Sequence, residues 1–170
     1  CETIATQYKP CVFVVNKWDL NASSMLTDKW VQYLHDTFRT MPYVPIAFIT
    51  AKTGKNVKTL VNHAQMLFKQ SQSRASTANL NKILRSALEY NPPPLDHHHQ
   101  SKIYYATQVS TCPPTIVMFC KNPKSFAAPY RRYLLRAMRD NLECAEVPIK
   151  LYLRSRDRDD ARDELNARSK

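Results

Sequence analysis

The sequence predicts two small mixed domains in series, an α/β unit with a parallel sheet followed by an α+β unit. Three observations lead there. Two short apolar runs, Cys11–Val15 and Pro45–Ile49, alternate with two stretches of helical periodicity. A Ser- and Gln-rich stretch, Gln70–Ser76, then interrupts the pattern and reads as a linker. Beyond it the order changes to helix, two adjacent strands, helix and strand.

In chain order, Cys11-Val12-Phe13-Val14-Val15 is an unbroken apolar run with β-branched residues, the pattern of a strand buried on both faces. The polar turn Asn16-Lys17-Trp18-Asp19 follows it, and Leu26, Trp30, Val31, Leu34 and Phe38 then recur at helical spacing until Pro42 and Pro45. Pro45–Ile49 reads as a second buried strand, leading into Thr50-Ala51-Lys52-Thr53-Gly54. Asn56 is placed to cap a helix with Val57, Leu60, Val61, Ala64, Leu67 and Phe68 on its apolar face. Past the linker, Thr77 is placed to cap a helix with Leu80, Ile83, Leu84, Ala87 and Leu88 inward, stopped by Asn91-Pro92-Pro93-Pro94. Ile103–Val109 reads as a strand with Ile103, Tyr105, Thr107 and Val109 on one face, and Thr115–Cys120 as its neighbour. A helix from about Phe126 to Leu142 tolerates Pro129 in its first turn. Val147–Arg154 closes the pattern, with Ile149, Leu151 and Leu153 alternating against Lys150, Tyr152 and Arg154. The expected domains are 1–72 and 76–156, with a frayed, charged tail over 157–170.

Composition narrows the function. An apolar content of 44% across 170 residues supports folded cores. No apolar run approaches the roughly 18–20 residues of a membrane span, and the residues after Cys1 lack a signal-peptide layout. Five cysteines, odd in number and without a C-x-x-C pair, argue against a disulfide framework or zinc ribbon and fit a reducing cytoplasm. Cys112 and Cys120 read as small packing residues, as do Trp18 and Trp30 among the aromatics. The single glycine, Gly54, excludes a complete phosphate loop and a G-x-x-G clamp on a nucleic-acid backbone. The net charge of +11 divides as +4 through Ser73 and +7 from Arg74 onward. Lys121, Lys124, Arg131, Arg132, Arg136 and Arg139 occur with no acid among them, a surplus that attracts polyanions through counterion release. His97-His98-His99 does not read as a metal site, because consecutive residues cannot converge on one ion and no Cys or acid pattern completes a shell. That segment is expected to be a polar loop.

The most informative constellation pairs two turns at the carboxyl ends of neighbouring strands, where ligands bind in open α/β sheets. Guanine carries donors at N1 and N2 and acceptors at O6 and N7. The Asp19 carboxylate can accept both donors, Asn16 can bridge the loops, and the Lys17 stem can cover the purine face. In the second turn Thr50-Ala51-Lys52 can offer the Ala51 N–H to O6 and lay Lys52 over the ring. An N-K-x-D tetrad alone is a weak signal, and the second box after the next strand makes it specific.

These boxes are those of translation-factor-like GTPases, and the chain resembles the carboxyl-terminal part of the Der (EngA) family, bacterial GTPases with two tandem G domains and a KH-like tail. The resemblance runs on through Leu80-Asn81-Lys82-Ile83-Leu84, Pro92-Pro93-Pro94, Lys102–Val109, Pro113-Pro114-Thr115, Tyr130-Arg131-Arg132-Tyr133-Leu134 and Pro148-Ile149-Lys150-Leu151, covering roughly residues 5–155. Thr50 stands where the family usually has Ser, Asn122-Pro123-Lys124 where Asn-Asp-Pro is usual, and Glu146-Val147 where Gly precedes Pro-Ile. The resemblance implies a partial P-loop-GTPase-like G domain followed by an α-β-β-α-β KH-like domain.

It further implies GTP or GDP as ligand, contacted through the guanine. The phosphate loop, switch segments and Mg²⁺-binding Asp-x-x-Gly of the family have no counterpart in this sequence. No catalytic or metal-binding residue is therefore assigned, Mg²⁺ is expected only in an intact protein, and the chain is expected to act as a fragment without hydrolysis. The implied role is assembly of the large ribosomal subunit in the cytoplasm. Ribosomal RNA and the family's other G domains are the expected partners, and neither membrane nor DNA is. Arg132, Arg136 and Arg139 fall at i, i+4 and i+7 on one helix face, suited to RNA phosphate or a partner G domain. The rival reading is a non-enzymatic RNA- or protein-binding module that keeps the first unit as a scaffold.

Overall fold

A computed structural model of the chain describes residues 2–20, 26–93, 95–96 and 99–156. Cys1, His97, His98 and the expected tail over 157–170 lie outside the described residues. The chain forms two compact units, Cys1–Ser73 with Cys144–Pro148, and Arg74–Glu143 with Ile149–Lys170. The short segment Cys144–Pro148 thus groups with the first unit, although the sequence reading assigned it to the second domain. No helix among the described residues is long and apolar enough to cross a membrane.

In the first unit, helix α1 (Glu2–Gln7) precedes strand β1 (Phe13–Val15), which pairs in parallel with β2 (Ile46–Phe48), Phe13 facing Ile46 and Val15 facing Phe48. Helices α2 (Thr27–Thr37) and α3 (Val57–Gln72) follow β1 and β2 in turn. The alternation and the parallel pairing match the sequence pattern. The expected burial of both strands does not hold, since Val14 is 46% exposed and the rest of β1 and β2 is half-buried. Among the described residues this sheet has only two strands, so each leaves one edge unpaired. Stacking fills part of the gap, with the Phe13 and Phe38 rings 4.5 Å apart. Trp18 lies 4.3 Å from Phe48 and 6.5 Å from Trp30, so both tryptophans pack within the fold, as expected.

Two local readings change at α3. Asn56 sits at the N-terminal cap position but adopts φ +62°, and its side chain makes no capping bond. It donates instead to the Phe48 carbonyl at 2.9 Å, tying the helix entry to the end of β2. The helix also runs through Gln70-Ser71-Gln72, which the sequence assigned to the linker. Ser71 is buried and returns its hydroxyl to the Phe68 carbonyl at 2.7 Å, so a serine that looks like linker is accommodated inside a helix.

In the second unit, helix α4 (Thr77–Tyr90) is capped by Ser76, one residue before the expected Thr77, through a 3.2 Å bond from the Asn79 amide. Its buried stripe is Leu80, Ile83, Leu84 and Ala87, as the spacing predicts. The segment expected as a polar loop contains a short antiparallel ladder of β3 (Leu95–Asp96) and β4 (His99–Gln100). Strands β5 (Ile103–Ser110), β6 (Thr115–Cys120) and β7 (Lys150–Ser155) form one sheet in the order β5-β6-β7, antiparallel then parallel. Helix α5 (Ala128–Asn141) carries a proline in its first turn and buries Leu134 and Met138.

The facing of β5 departs from simple alternation. Ile103, Ala106 and Gln108 are buried, while Tyr105 and Val109 are exposed. The register with β6 slips between Ile103 and Tyr105, where one extra residue exchanges the faces, and it slips again between Gln108 and Ser110. The outer edge of β5 is closed by a side chain rather than a strand. Ala106 is fully buried, and Asn81 of α4 accepts its N–H at 2.9 Å and donates to its carbonyl at 3.0 Å. Asn81→Ala should therefore strand two buried backbone groups and lower stability by about 1–3 kcal/mol. The check is a urea midpoint that falls with the denaturant slope unchanged.

Candidate functional site

Because β1 and β2 are parallel, the turns that leave them emerge at the same end. The Asn16 amide joins them. Its Oδ1 accepts the Lys17 N–H at 2.7 Å and, from the other turn, the Ala51 N–H at 3.1 Å. Lys17 is held at φ +60°, a conformation that side chains seldom adopt. The Trp18 N–H then returns to the Ile49 carbonyl at 3.0 Å, which starts the short 3-10 turn Trp18–Leu20 bearing Asp19.

The second turn is built around Gly54. Its φ of +75° allows the chain to reverse so that the Thr50 N–H meets the Lys55 carbonyl at 3.1 Å. Thr50 is 2% exposed, and its hydroxyl oxygen is buried without a hydrogen-bond partner. Asn16, Lys17, Asp19, Ala51 and Lys52 are all exposed. The Asn16 amide therefore joins the backbones of Lys17 and Ala51, with Asp19, Thr50 and Lys52 on the same two turns. The Ala51 N–H, which the sequence reading offered to a ligand, is held by Asn16. The aromatic packing of Trp18 on Phe48 beneath the first turn has no signature in the sequence beyond the tryptophan itself.

Helix α5 is the second candidate region. Arg132 and Arg136 are exposed and Arg139 is half-buried. Arg136 lies 3.7 Å from Asp140, an exposed pair of the kind that contributes little. Arg131 is committed to the fold, its guanidinium donating to the Phe126 and Pro123 carbonyls at 2.7 and 3.0 Å. On the opposite face Tyr130 and Tyr133 donate their hydroxyls to the Asn91 and Ala87 carbonyls at 2.8 and 2.7 Å, closing the end of α4. Burial, aided by the neighbouring Tyr133, pushes the Tyr130 phenol up to about 12, and burial raises Tyr133 as well. Both shifts favour the neutral phenol that donates these bonds. Burial likewise raises the Cys120 thiol to about 11, in keeping with a packing role. Among the described residues no group of three His, Cys, Asp or Glu could hold a metal ion.

Comparison with known proteins covers both regions. The model of the KH-domain-like C-terminal domain of EngA bacterial GTPases matches residues 74–154. The chain is 51% identical over 167 residues to GTPase Der of Rhodopirellula baltica, covering 98% of this chain and 37% of that protein. It is 36% identical over 151 residues to GTPase Der of Geobacter metallireducens, covering 88% of this chain and 34% of the relative. GTPase Der of Acaryochloris marina is 35% identical over 150 residues, with 87% and 33% covered. The chain thus spans about a third of the length of these curated relatives.

The role of Asn16 as the tie between turns is directly measurable. Asn16→Ala should release the Ala51 amide, raising its hydrogen-exchange rate by about fivefold or more for the loss of roughly 1 kcal/mol of hydrogen bonding. Amides of α4 and α5 should be unaffected, and an unchanged Ala51 rate would show that the turn holds itself together.

Proposed function

The chain corresponds to the carboxyl-terminal part of the Der (EngA) family, and from that premise we propose that its first unit is the guanine-recognising part of a G domain. The observation that carries this reading is the Asn16 tie, which links the two turns that carry the recognition residues. The donors and acceptors available suit guanine. The Asp19 carboxylate accepts from N1 and N2, and the Lys17 and Lys52 stems flank the ring faces. The Ala51 N–H turns from Asn16 to O6 when the base arrives. Asn16 loses little by this exchange, because its oxygen retains the Lys17 N–H. The buried, unpartnered Thr50 hydroxyl supports a site whose polar groups await a further partner. GTP or GDP is the proposed ligand of the intact protein, with Mg²⁺ held by parts that this sequence does not contain.

The second unit is proposed as the KH-like domain through which the intact GTPase acts in assembly of the large ribosomal subunit. Its exposed arginines on α5 support contact with ribosomal RNA phosphates or with a G domain of the same protein. The chain's own residues supply base recognition and charge, not phosphoryl-transfer chemistry, which depends on phosphate positioning and a metal ion.

Two measurements test the proposal. In the intact protein Asp19→Asn should weaken GTP by at least about 1.5–3 kcal/mol, the scale of a charged hydrogen bond, and favour xanthosine triphosphate, whose extra carbonyl suits an amide. Unchanged discrimination between the two nucleotides in a competition assay overturns the guanine assignment. The 170-residue chain alone should hydrolyse no GTP above the buffer rate. Turnover that co-purifies with it would require a phosphate site elsewhere in the chain.

A further inference from the structure

The sheet of the second unit has a face that the preceding proposal leaves unused. Alternate residues of a strand point to opposite faces, so the register sorts the side chains. Ala106, Met118 and Leu153 lie in one cross-strand row, and Tyr105, Phe119 and Arg154 in the adjacent one. The first row belongs to the core, with Ala106 and Met118 fully buried. In the second, Tyr105 is 40% exposed, and Tyr152, one step along β7 on the same face, is 46% exposed. The Tyr105 and Phe119 rings stack with centroids 4.6 Å apart and planes within 19°. At the same end of the sheet the Lys102 ammonium and the Arg156 guanidinium lie 5.6 and 5.0 Å from the centre of the Tyr104 ring. No acidic residue occurs from residue 97 to 139 or from 147 to 156, so β5, β6 and β7 carry cations and no acid within their own strands.

We propose that this end of the sheet binds single-stranded RNA, with bases stacking on the Tyr105–Phe119 pair and phosphates meeting Lys102, Arg154 and Arg156. Stacked aromatic rings on a flat sheet accept any base with an open π-face, and duplexes do not offer one. The cation–π contacts at Tyr104 hold two positive groups beside the platform, which lowers the ordering cost of meeting a phosphate. A protein partner fits less well, because the cores of protein interfaces are depleted in charge and in lysine. The second unit contains no glycine and hence no G-x-x-G clamp, so a strand must be gripped by other means. The inference is independent of the guanine reading and concerns a different surface from the α5 arginines.

The experiment measures fluorescence anisotropy of a labelled single-stranded oligo(A) RNA of about a dozen nucleotides, a length within the usual site sizes, with the 170-residue chain across a salt series. Tyr105→Ala should weaken binding about tenfold, the scale of one lost base stack, and Tyr105→Phe should restore it. The salt dependence should be the same in Tyr105→Ala as in the parent, because a stack releases no counterions. The Arg154→Ala/Arg156→Ala double variant should instead reduce the slope of log affinity against log salt by roughly 1.4, about 0.7 for each phosphate contact. Arg132→Ala/Arg136→Ala/Arg139→Ala reports separately on α5 and leaves the Tyr105 effect in place. Should Tyr105→Ala fail to fold, photocrosslinking of the parent chain to the same RNA bearing one 4-thiouridine decides. Adducts within residues 102–121 support the platform. Adducts confined to 126–142, parental affinity in a folded Tyr105→Ala, or no binding of the RNA by the parent chain each overturn it.

Discussion

The amide of Asn16 is the contact on which the first unit's chemistry depends. Parallel pairing of β1 and β2 brings two polar turns to one end, but pairing alone does not set the distance or orientation between them. A single side-chain oxygen that takes the Lys17 and Ala51 amides does both, and leaves Asp19 and Lys52 on turns whose backbones are already satisfied. The Lys17 backbone at positive φ is strain that persists because this bond and the Trp18 amide bond on either side over-determine it. Asn56 performs the corresponding task at the far end of the second turn, where its amide grips the Phe48 carbonyl instead of capping its own helix. Two asparagines thus fix both ends of a site that no regular element could position.

The second unit solves a different problem with the same side chain. A three-stranded sheet has an edge at β5, and an unpaired buried edge would forfeit two backbone hydrogen bonds at Ala106. Asn81 supplies a donor and an acceptor in the geometry of a neighbouring strand, so α4 docks by hydrogen bonding as well as by its apolar stripe. Gln108 does similar work at the far end of the strand, its side-chain oxygen taking the Ala75 amide at 2.8 Å just before α4. The tyrosines of α5 complete the arrangement where α4 ends, Tyr130 donating to the Asn91 carbonyl and Tyr133 sharing the Ala87 carbonyl with the Asn91 N–H.

What was legible in the sequence follows from what periodicity encodes. Apolar spacing identified α4, α5 and the central strand, each of which buries apolar side chains, and the alternation along β7, where Leu151 and Leu153 are half-buried while Tyr152 and Arg154 are exposed. It also predicted the parallel pair at Phe13–Val15 and Ile46–Phe48, while overestimating their burial, since an apolar run reports what a strand could bury rather than how many neighbours it has. The bulge after Ile103 was not legible. A one-residue slip leaves composition unchanged and reverses every later side chain, so Tyr105 and Val109 were assigned to the wrong face. The cap at Ser76 rather than Thr77 and the helical Gln70-Ser71-Gln72 illustrate the same limit, because polar residues fit a helix end, a helix interior or a linker until tertiary contacts decide. The candidate site was more legible than its surroundings. Its residue types follow from base chemistry, whereas the Asn16–Ala51 bond that orients them spans 35 residues of sequence.

The bulge gives the sheet's exposed face its chemistry. With strict alternation from Ile103, Tyr105 would share the face that packs on the helices, and Ala106 would lie outside. The slip places the small Ala106 where α4 approaches closely enough for Asn81 to reach the backbone, and it sends Tyr105 outward to stack on Phe119. One backbone irregularity therefore permits both the close helix–strand approach and the aromatic pair on the opposite face. Burying Tyr105 instead would have removed its hydroxyl from water at a cost of a few kcal/mol unless a partner were found. Leaving it outside, on strands that carry cations and no acid of their own, gives the stacked pair surroundings that favour an anionic, base-bearing chain.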